Sequence, residues 1–211
     1  MVDREKLKQE LKLYLITDYD MIKERNFYKC IEDALKGGVT ILQHREKNAS
    51  GKDFLDRALK LRELTRKYGV KLIINDRVDI ALLCDADGVH VGQSDIDAKS
   101  VRKLIGDEKI LGVSAKTTEE AKRALSDDAD YIGIGSMFAT DTKKDAESST
   151  FDIVDEIRDN VDIPFVLIGG INLDNVEQLF PLKSSGYSVI SSILKADDIY
   201  SQTQKWISRL S

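Results

Sequence analysis

Only two cysteines, two histidines, two prolines and one tryptophan occur in the 211 residues, and each scarcity narrows the reading. Cys30 and Cys84 lie in apolar periodic stretches without CxxC or Cys/His spacing. That argues against a disulfide or a zinc site and reads as reduced thiols in the core or just beneath the surface, in a reducing compartment. With so few prolines and no Pro/Gly/Ser-rich linker or low-complexity segment, nothing divides the chain, and one domain over residues 1–211 is expected. No apolar run approaches a membrane span, and the opening MVDREKLKQE is a charged, helix-like start without a signal core; the expected location is cytoplasmic. A formal charge of −5 and a pI near 5.2 exclude a general binder of nucleic acid or anionic membranes, so any cationic site must be local.

What the chain does have is a repeated alternation of strand-like and helix-like segments. Eight β-rich runs recur: LKLYLITD, VTILQHR, KLIIND, GVHV, KILGVS, YIGIG, PFVLIGG and YSVISSI. Between them, segments such as Phe27 to Leu35, Lys52 to Tyr68, Asp97 to Ile105, Thr118 to Leu125 and Asp174 to Leu182 carry apolar residues at three- and four-residue spacings, as helices lying on a sheet do. In TTEE, Thr117 with Glu120 three residues later has the capping-box pattern. Near-continuously apolar strands, each followed by a helix, imply a parallel sheet covered on its outer face. Eight such units filling the chain predict an α/β fold of the closed (β/α)8 TIM-barrel type. The rival, an open doubly wound sheet, has only Gly133 and Gly135 in GIGSMF toward a dinucleotide fingerprint, which needs a third glycine.

Candidate chemistry sits at the strand ends. A strand over residues 39–47 would put Val39, Ile41, Gln43, Arg45 and Lys47 on one face, running from apolar to cationic. In a barrel that gradient leads to the mouth at the carboxyl ends of the strands, where barrel enzymes keep their sites. By itself a charged strand end reads equally as a strand fraying into solvent. The third strand ends in NDR, with Asn75, Asp76 and Arg77, where Asn75 or Asp76 could instead simply cap the next helix. The fourth is followed by GQSD, which brings Asp95 close to Asp76, and two carboxylates without Cys or His company suit a hard ion such as Mg2+. The fifth ends in GVSAK, with Ser114 and Lys116. The sixth leads into SMFATDTKKD, with Thr140, Thr142 and Lys143. The seventh ends in Gly169 and Gly170, and the eighth in Ile190 and Ser191, the region where barrels often bind phosphate. Two anion sites are expected, one near strands two to five and one near strands six to eight.

In their order and spacing, LYLITD, QHREK, NDRVDIAL, ADGVHVGQSD, GVS, TDTKKDA, IGGI and VISSI together resemble thiamine-phosphate synthase over nearly the whole chain. The resemblance implies a Mg2+-assisted transferase of thiamine biosynthesis. It would join 4-amino-2-methyl-5-hydroxymethylpyrimidine pyrophosphate to 4-methyl-5-hydroxyethylthiazole phosphate, or its carboxylated form, releasing pyrophosphate. Carried over position by position, Gln43, Arg45, Lys47, Asn75, Ser114 and Lys143 would hold the pyrimidine pyrophosphate. Of these, Arg45, Lys47, Ser114 and Lys143 would be catalytic. Asp76 and Asp95 would bind Mg2+, and Thr140, Thr142, Gly170, Ile190 and Ser191 would hold the thiazole phosphate. The implied partners are small molecules, without nucleic acid or membrane, and a homo-oligomer is left open.

The implied chemistry needs no protein base, because the attacking thiazole nitrogen already has a lone pair. His44 falls on the strand face opposite Arg45 and reads as packed or surface, and His90, inside a strand, as structural, with a site role the lesser alternative. The chain departs from the family pattern at Ser136 and Ala139, where proline is usual, and at Lys116, where histidine commonly follows GxS. The missing prolines predict a less rigid loop after the sixth strand, and Lys116 is a candidate extra cation for the pyrophosphate. Two rivals remain, a thiazole tautomerase-like isomerase and a non-catalytic phosphate-binding barrel. The acids of NDR and GQSD favour the synthase.

Overall fold

The computed structural model describes residues 2–138 and 147–211. Eight parallel strands close into a barrel in chain order. They are β1 Leu13–Ile16, β2 Ile41–His44, β3 Lys71–Asn75, β4 Gly88–Val91, β5 Ile110–Ala115, β6 Tyr131–Gly135, β7 Phe165–Ile168 and β8 Gly186–Val189. β8 returns to β1 through Tyr187 opposite Leu13 and Ser188 opposite Tyr14. The described helices are α1 Arg4–Glu10, α2 Phe27–Gly37, α3 Gly51–Tyr68, α4 Val78–Leu83, α5 Ala98–Ile105, α6 Thr118–Ser126, α7 Glu147–Asn160, α8 Ser191–Leu194 and α9 Ile199–Arg209. The TIM-barrel expectation holds. The expected helix between β7 and β8 is instead a 3-10 segment, Val176–Leu182, with Pro181 inside it. Proline offers no N–H and clashes with the preceding turn of an α-helix, which explains the tighter form.

Local chemistry sets the helix starts. Side chains of Asn26, Ser50, Asp97, Thr117 and Asp198 each accept a backbone N–H of the first turn of the helix that follows. Thr117 accepts from the N–H of Glu120, as the capping box predicts, but the Glu120 carboxylate reaches the N–H of Lys116 (2.7 Å) rather than that of Thr117. The box thus closes one residue earlier and fixes the exit of β5.

Strand alternation separates two apolar cores. Leu15, Leu42, Leu72, Ile74, Val89, Leu111, Val113, Ile132 and Leu167 face the surrounding helices. Tyr14, Ile16, Ile41, Ile73, Ile110, Tyr131 and Val166 fill the barrel interior, joined by Leu7 and Leu11 at the end of α1. Asp3 caps α1, and Arg4 donates to the carbonyl of Ala129 at the amino-terminal side of β6 (2.9 Å). α1 therefore stoppers the barrel at its amino-terminal end, and the free end is the mouth at the strand carboxyl termini. Cys30 and Cys84 are free and buried. Among the described residues no helix is long and apolar enough to cross a membrane.

Candidate active site

At the mouth lies a cavity of about 270 Å³ lined by Gln43, Arg45, Asn75, His90, Ser114 and Ile190, over a floor that includes Tyr14, Gly133, Val166 and Ser188. Every one of these belongs to the inward face of its strand or to the residue just beyond it. β2 carries Ile41 inward into the core and Gln43 one step higher, while Leu42 and His44 face the helices. The strand is shorter than the expected 39–47, because β2 ends at His44. Arg45 still reaches the cavity, but Lys47 lies exposed beyond the strand and outside the cavity wall. The turn between them is anchored by Arg57, which donates to Glu46 at 3.0 Å and stacks over the ring of Tyr19.

Neither Asn75 nor Asp76 caps α4; Arg77 occupies that position without a side-chain cap. Asp76 instead adopts a left-handed backbone conformation, φ 61°, in which its N–H donates to the carbonyl of His90 (2.9 Å). A non-glycine residue held there costs free energy and persists where its surroundings over-determine it. The same residue is exposed at the rim, yet crowding by protein atoms raises its carboxyl pKa. The charge of Asp95 and a hydrogen bond shared with it add to that effect. Together they push the pKa up to about 6 against the pull of Arg45 and the Asn75 amide. Asp95 is aimed by its loop, where its carboxylate accepts the N–H of Gly92 (2.7 Å), and Gln93 ties that loop to the carbonyl of Ser114 (2.6 Å). Two carboxylates near enough to share a proton, beside one cation and one amide, form an oxygen-donor pair that suits a hard divalent ion. Among the described residues no group of three or more His, Cys, Asp or Glu is poised for a metal, so such an ion would complete its sphere with water and ligand oxygens. Arg77, by contrast, is turned away and paired with Asp79 (2.8 Å).

On the other side, Gly169 and Gly170 have φ of 106° and 66°. A Cβ on Gly169 would lie 2.2 Å from Ser136 Oγ, and one on Gly170 would lie 2.9 Å from Phe138 Cβ, so the two loops pack at a distance only glycine permits. The N–H groups of Met137 and Phe138 donate to the carbonyls of Ile168 and Gly169, each at 3.0 Å, and Ser136 Oγ donates to Phe138 O at 3.0 Å. This first part of the loop is thus pinned by hydrogen bonds where the absence of proline predicts looseness. Ile190 borders the cavity, and Ser191 opens α8, exposed. Ala139, Thr140, Thr142 and Lys143 lie outside the described residues.

The histidines divide. His44 is buried between Phe27 and Phe54 on the helix side, its Nδ1 3.0 Å from Thr17 Oγ1, and burial drives its pKa down to about 3. That agrees with the packed role expected of it. For His90 the lesser alternative, a place at the site, is the one the geometry favours. It lines the cavity, with Nε2 3.0 Å from Ser114 Oγ and Nδ1 3.0 Å from Tyr131 Oη. Burial lowers its pKa to about 4, and the charge of Asp95 only partly offsets this, so the ring is neutral. Tyr14, inside LYLITD, and Tyr131, at the head of YIGIG, are not among the expected site residues; they sit below His90 with hydroxyls 2.7 Å apart, and Gln43 Nε2 donates to Tyr14 Oη at 2.9 Å. The one sequence signal for them is parity: each stands on the inward face of a strand, where a phenol is unusual in an otherwise aliphatic barrel core.

A cationic, carboxylate-bearing mouth on a stoppered barrel agrees with what similarity to other proteins indicates. Residues 13–193 match the model of the family described as thiamine monophosphate synthase. A thiamine-phosphate synthase of Clostridioides difficile (strain 630) is 65% identical over 98% of this chain and 98% of its own. One from Alkaliphilus oremlandii (strain OhILAs) is 54% identical over 89% of this chain and 90% of its own. The solved structure of thiamine phosphate pyrophosphorylase from Pyrococcus furiosus superposes with a TM-score of 0.87 at 36% identity, covering 97% of each chain. With most of its length matched by the family model and its strand-end residues gathered at one mouth, this chain belongs to the thiamine monophosphate synthase family.

Proposed function

We infer that the protein is a thiamine-phosphate synthase that joins the pyrimidine pyrophosphate to the thiazole phosphate and releases pyrophosphate. The observation that carries this reading is that Arg45 and Asn75, on the cavity wall, both act on the Asp76/Asp95 pair beside it, in a member of this family. Gln43, Arg45, Asn75 and Ser114, together with Lys47 and Lys143, hold the pyrimidine pyrophosphate. Asp76 and Asp95 would hold Mg2+, which would supply positive charge to offset that of the leaving pyrophosphate. Gly170, Ile190 and Ser191, with Thr140 and Thr142, hold the thiazole phosphate. The partners are small molecules, and the location is the cytoplasm.

In the reaction the bond from the pyrimidine methylene carbon to the pyrophosphate oxygen breaks, and a bond from that carbon to the thiazole nitrogen forms. Negative charge gathers on the leaving group, where Arg45 and the lysines stabilise it. The nitrogen attacks with its own lone pair, so the chain's task is to align two bound molecules and exclude water rather than to move a proton. His90 is held by Tyr131 and Ser114 on its two ring nitrogens. The similarity to proteins named thiamine-phosphate synthase supports this reading over a tautomerase.

The test is release of pyrophosphate on mixing the protein with both substrates and MgCl2, with thiamine phosphate identified as product. Release is expected only with both substrates and the metal, and an Asp76→Ala variant should lose it. Binding or isomerisation of the thiazole phosphate without pyrophosphate release would overturn the reading.

A further inference from the structure

Beneath the cavity a continuous line of hydrogen bonds crosses the barrel from β2 to β5: Gln43 Nε2 to Tyr14 Oη (2.9 Å), Tyr14 Oη to Tyr131 Oη (2.7 Å), Tyr131 Oη to His90 Nδ1 (3.0 Å) and His90 Nε2 to Ser114 Oγ (3.0 Å). Gln43, Ser114, His90 and Tyr14 all border the cavity; Tyr14 and Tyr131 are fully buried in the apolar interior, and His90 is half-buried above them. The path exists because Gly112 carries no side chain. A Cβ there would fall 2.2 Å from Tyr131 Cζ and 2.5 Å from His90 Nδ1, in the space through which the phenol and the imidazole meet.

Two directions are open to such a line, and the placement of the Gln43 amide nitrogen against Tyr14 selects one. Gln43 offers an N–H to Tyr14, whose own proton, buried at 1% exposure, has Tyr131 as its acceptor. Tyr131, having accepted, gives its proton to His90 Nδ1. A neutral imidazole that accepts at Nδ1 carries its proton on Nε2 and donates it to Ser114. Ser114 is left with a hydroxyl proton for the cavity. At the other end Gln43 keeps its carbonyl oxygen, for which no hydrogen-bond donor is found among the described residues. Reversing any one link requires reversing all of them, since each buried hydroxyl has one proton to give, and an orphaned buried donor or acceptor is costly.

We propose that Tyr14, Tyr131 and His90 are positioning residues, forming a one-way hydrogen-bond chain that couples Gln43, as an acceptor, to Ser114, as a donor, across the barrel interior. The two ends thereby present a fixed acceptor on one side of the cavity and a fixed donor on the other, to a ligand that offers an N–H at one position of a ring and a lone pair at another. An aminoheterocycle offers both. The use of the chain in orienting the pyrimidine rests on the functional reading above; its existence and direction do not.

Two measurements decide it. With only two histidines in the sequence, 15N-histidine labelling of the full chain gives two ring systems to resolve by NMR. The expected result is a neutral His90 with its proton on Nε2, whose Nδ1 resonance moves in Tyr131→Phe while His44 is unaffected. A proton on Nδ1, or a mixture of tautomers, would overturn the direction. In steady-state kinetics, Tyr131→Phe and Tyr14→Phe each should raise KM for the pyrimidine pyrophosphate about tenfold, the usual worth of one hydrogen bond, and leave KM for the thiazole phosphate unchanged. The double variant should be no worse than either single one, because a chain is broken once. Unchanged KM values, or losses that multiply, would overturn the coupling even in variants with lowered melting temperatures. If the parent protein makes no thiamine phosphate, the functional reading fails, and the tautomer still decides the chain.

Discussion

Arg102 provides the sharpest separation of stability from catalysis. Its guanidinium, 9% exposed, makes five hydrogen bonds: two to the carbonyl of Asp128, one each to those of Gly106 and Lys109, and one to the Asp130 carboxylate at 2.7 Å. Asp130, 5% exposed, also accepts the N–H of Leu111 at 2.8 Å. One side chain thus nails the end of α5 to the starts of β5 and β6, at the amino-terminal end of the barrel. Arg102→Met keeps most of the aliphatic stem but strands a buried carboxylate with a single neutral donor. Breaking a buried pair from one side costs about 3–5 kcal/mol. For a domain of this length each kcal/mol lowers the melting temperature by about 2–4 °C, so a fall of roughly 6–20 °C is expected. Adding Asp130→Asn removes the stranded charge while keeping an acceptor for Leu111, and the double variant should recover well over half of the loss. Urea unfolding followed by circular dichroism measures both. At temperatures where each variant is folded, kcat/KM should equal that of the parent, since barrel sites lie at the opposite end. A loss below about 1 kcal/mol in Arg102→Met, or a double variant as damaged as the single one, would refute the reasoning that the uncompensated charge carries the cost.

Other consequences follow from the mouth and the floor. The Asp76 carboxyl, with a folded pKa near 6 against an ordinary value of 3.8, adds stability that is present below about pH 4 and is lost as pH rises through 6. MgCl2 should therefore raise the melting temperature at about pH 7.5 and not at about pH 5. Asp95→Asn should abolish that rise and lower the Asp76 pKa, and an undiminished rise in that variant would remove Asp95 from the metal pair. Gly112→Ala, with its Cβ 2.2 Å from Tyr131, should destabilise by about 1–3 kcal/mol or more in urea unfolding. Gly133→Ala meets nothing nearer than His90 Cε1 at 3.3 Å and should cost distinctly less, so equal losses would contradict the packing described here. Lys116, exposed just beyond Ser114, should contribute to pyrophosphate affinity as a screened cation. Lys116→Ala is expected to weaken pyrophosphate binding severalfold at low ionic strength and hardly at all in high salt, as titration calorimetry would register, and unchanged binding in both would exclude that role.

The barrel was legible because its cause is repetitive. Eight apolar runs, each followed by a helix-period segment, leave few ways of burying both faces of a sheet, and alternation along β2 separates Gln43 and Arg45 from Leu42 and His44 without reference to any other part of the chain. The glycines at 169 and 170 and the acids at 76 and 95 were visible for the same reason, since each lies within four residues of a strand end. Tertiary structure alone decided three things. It cut β2 at His44 and left Lys47 outside the cavity wall, because strand length depends on how far the neighbouring strands extend. It turned Asp76 away from capping α4 and against Asp95, a contact between loops 19 positions apart that no local pattern encodes. And it joined Gln43, Tyr14, Tyr131, His90 and Ser114, five residues from five strands, into one hydrogen-bonded line through the space above Gly112. Sequence determines which face each residue takes along its own strand. Which inward residues meet across the barrel is set by the register of all eight strands together, and that is a property of the closed fold.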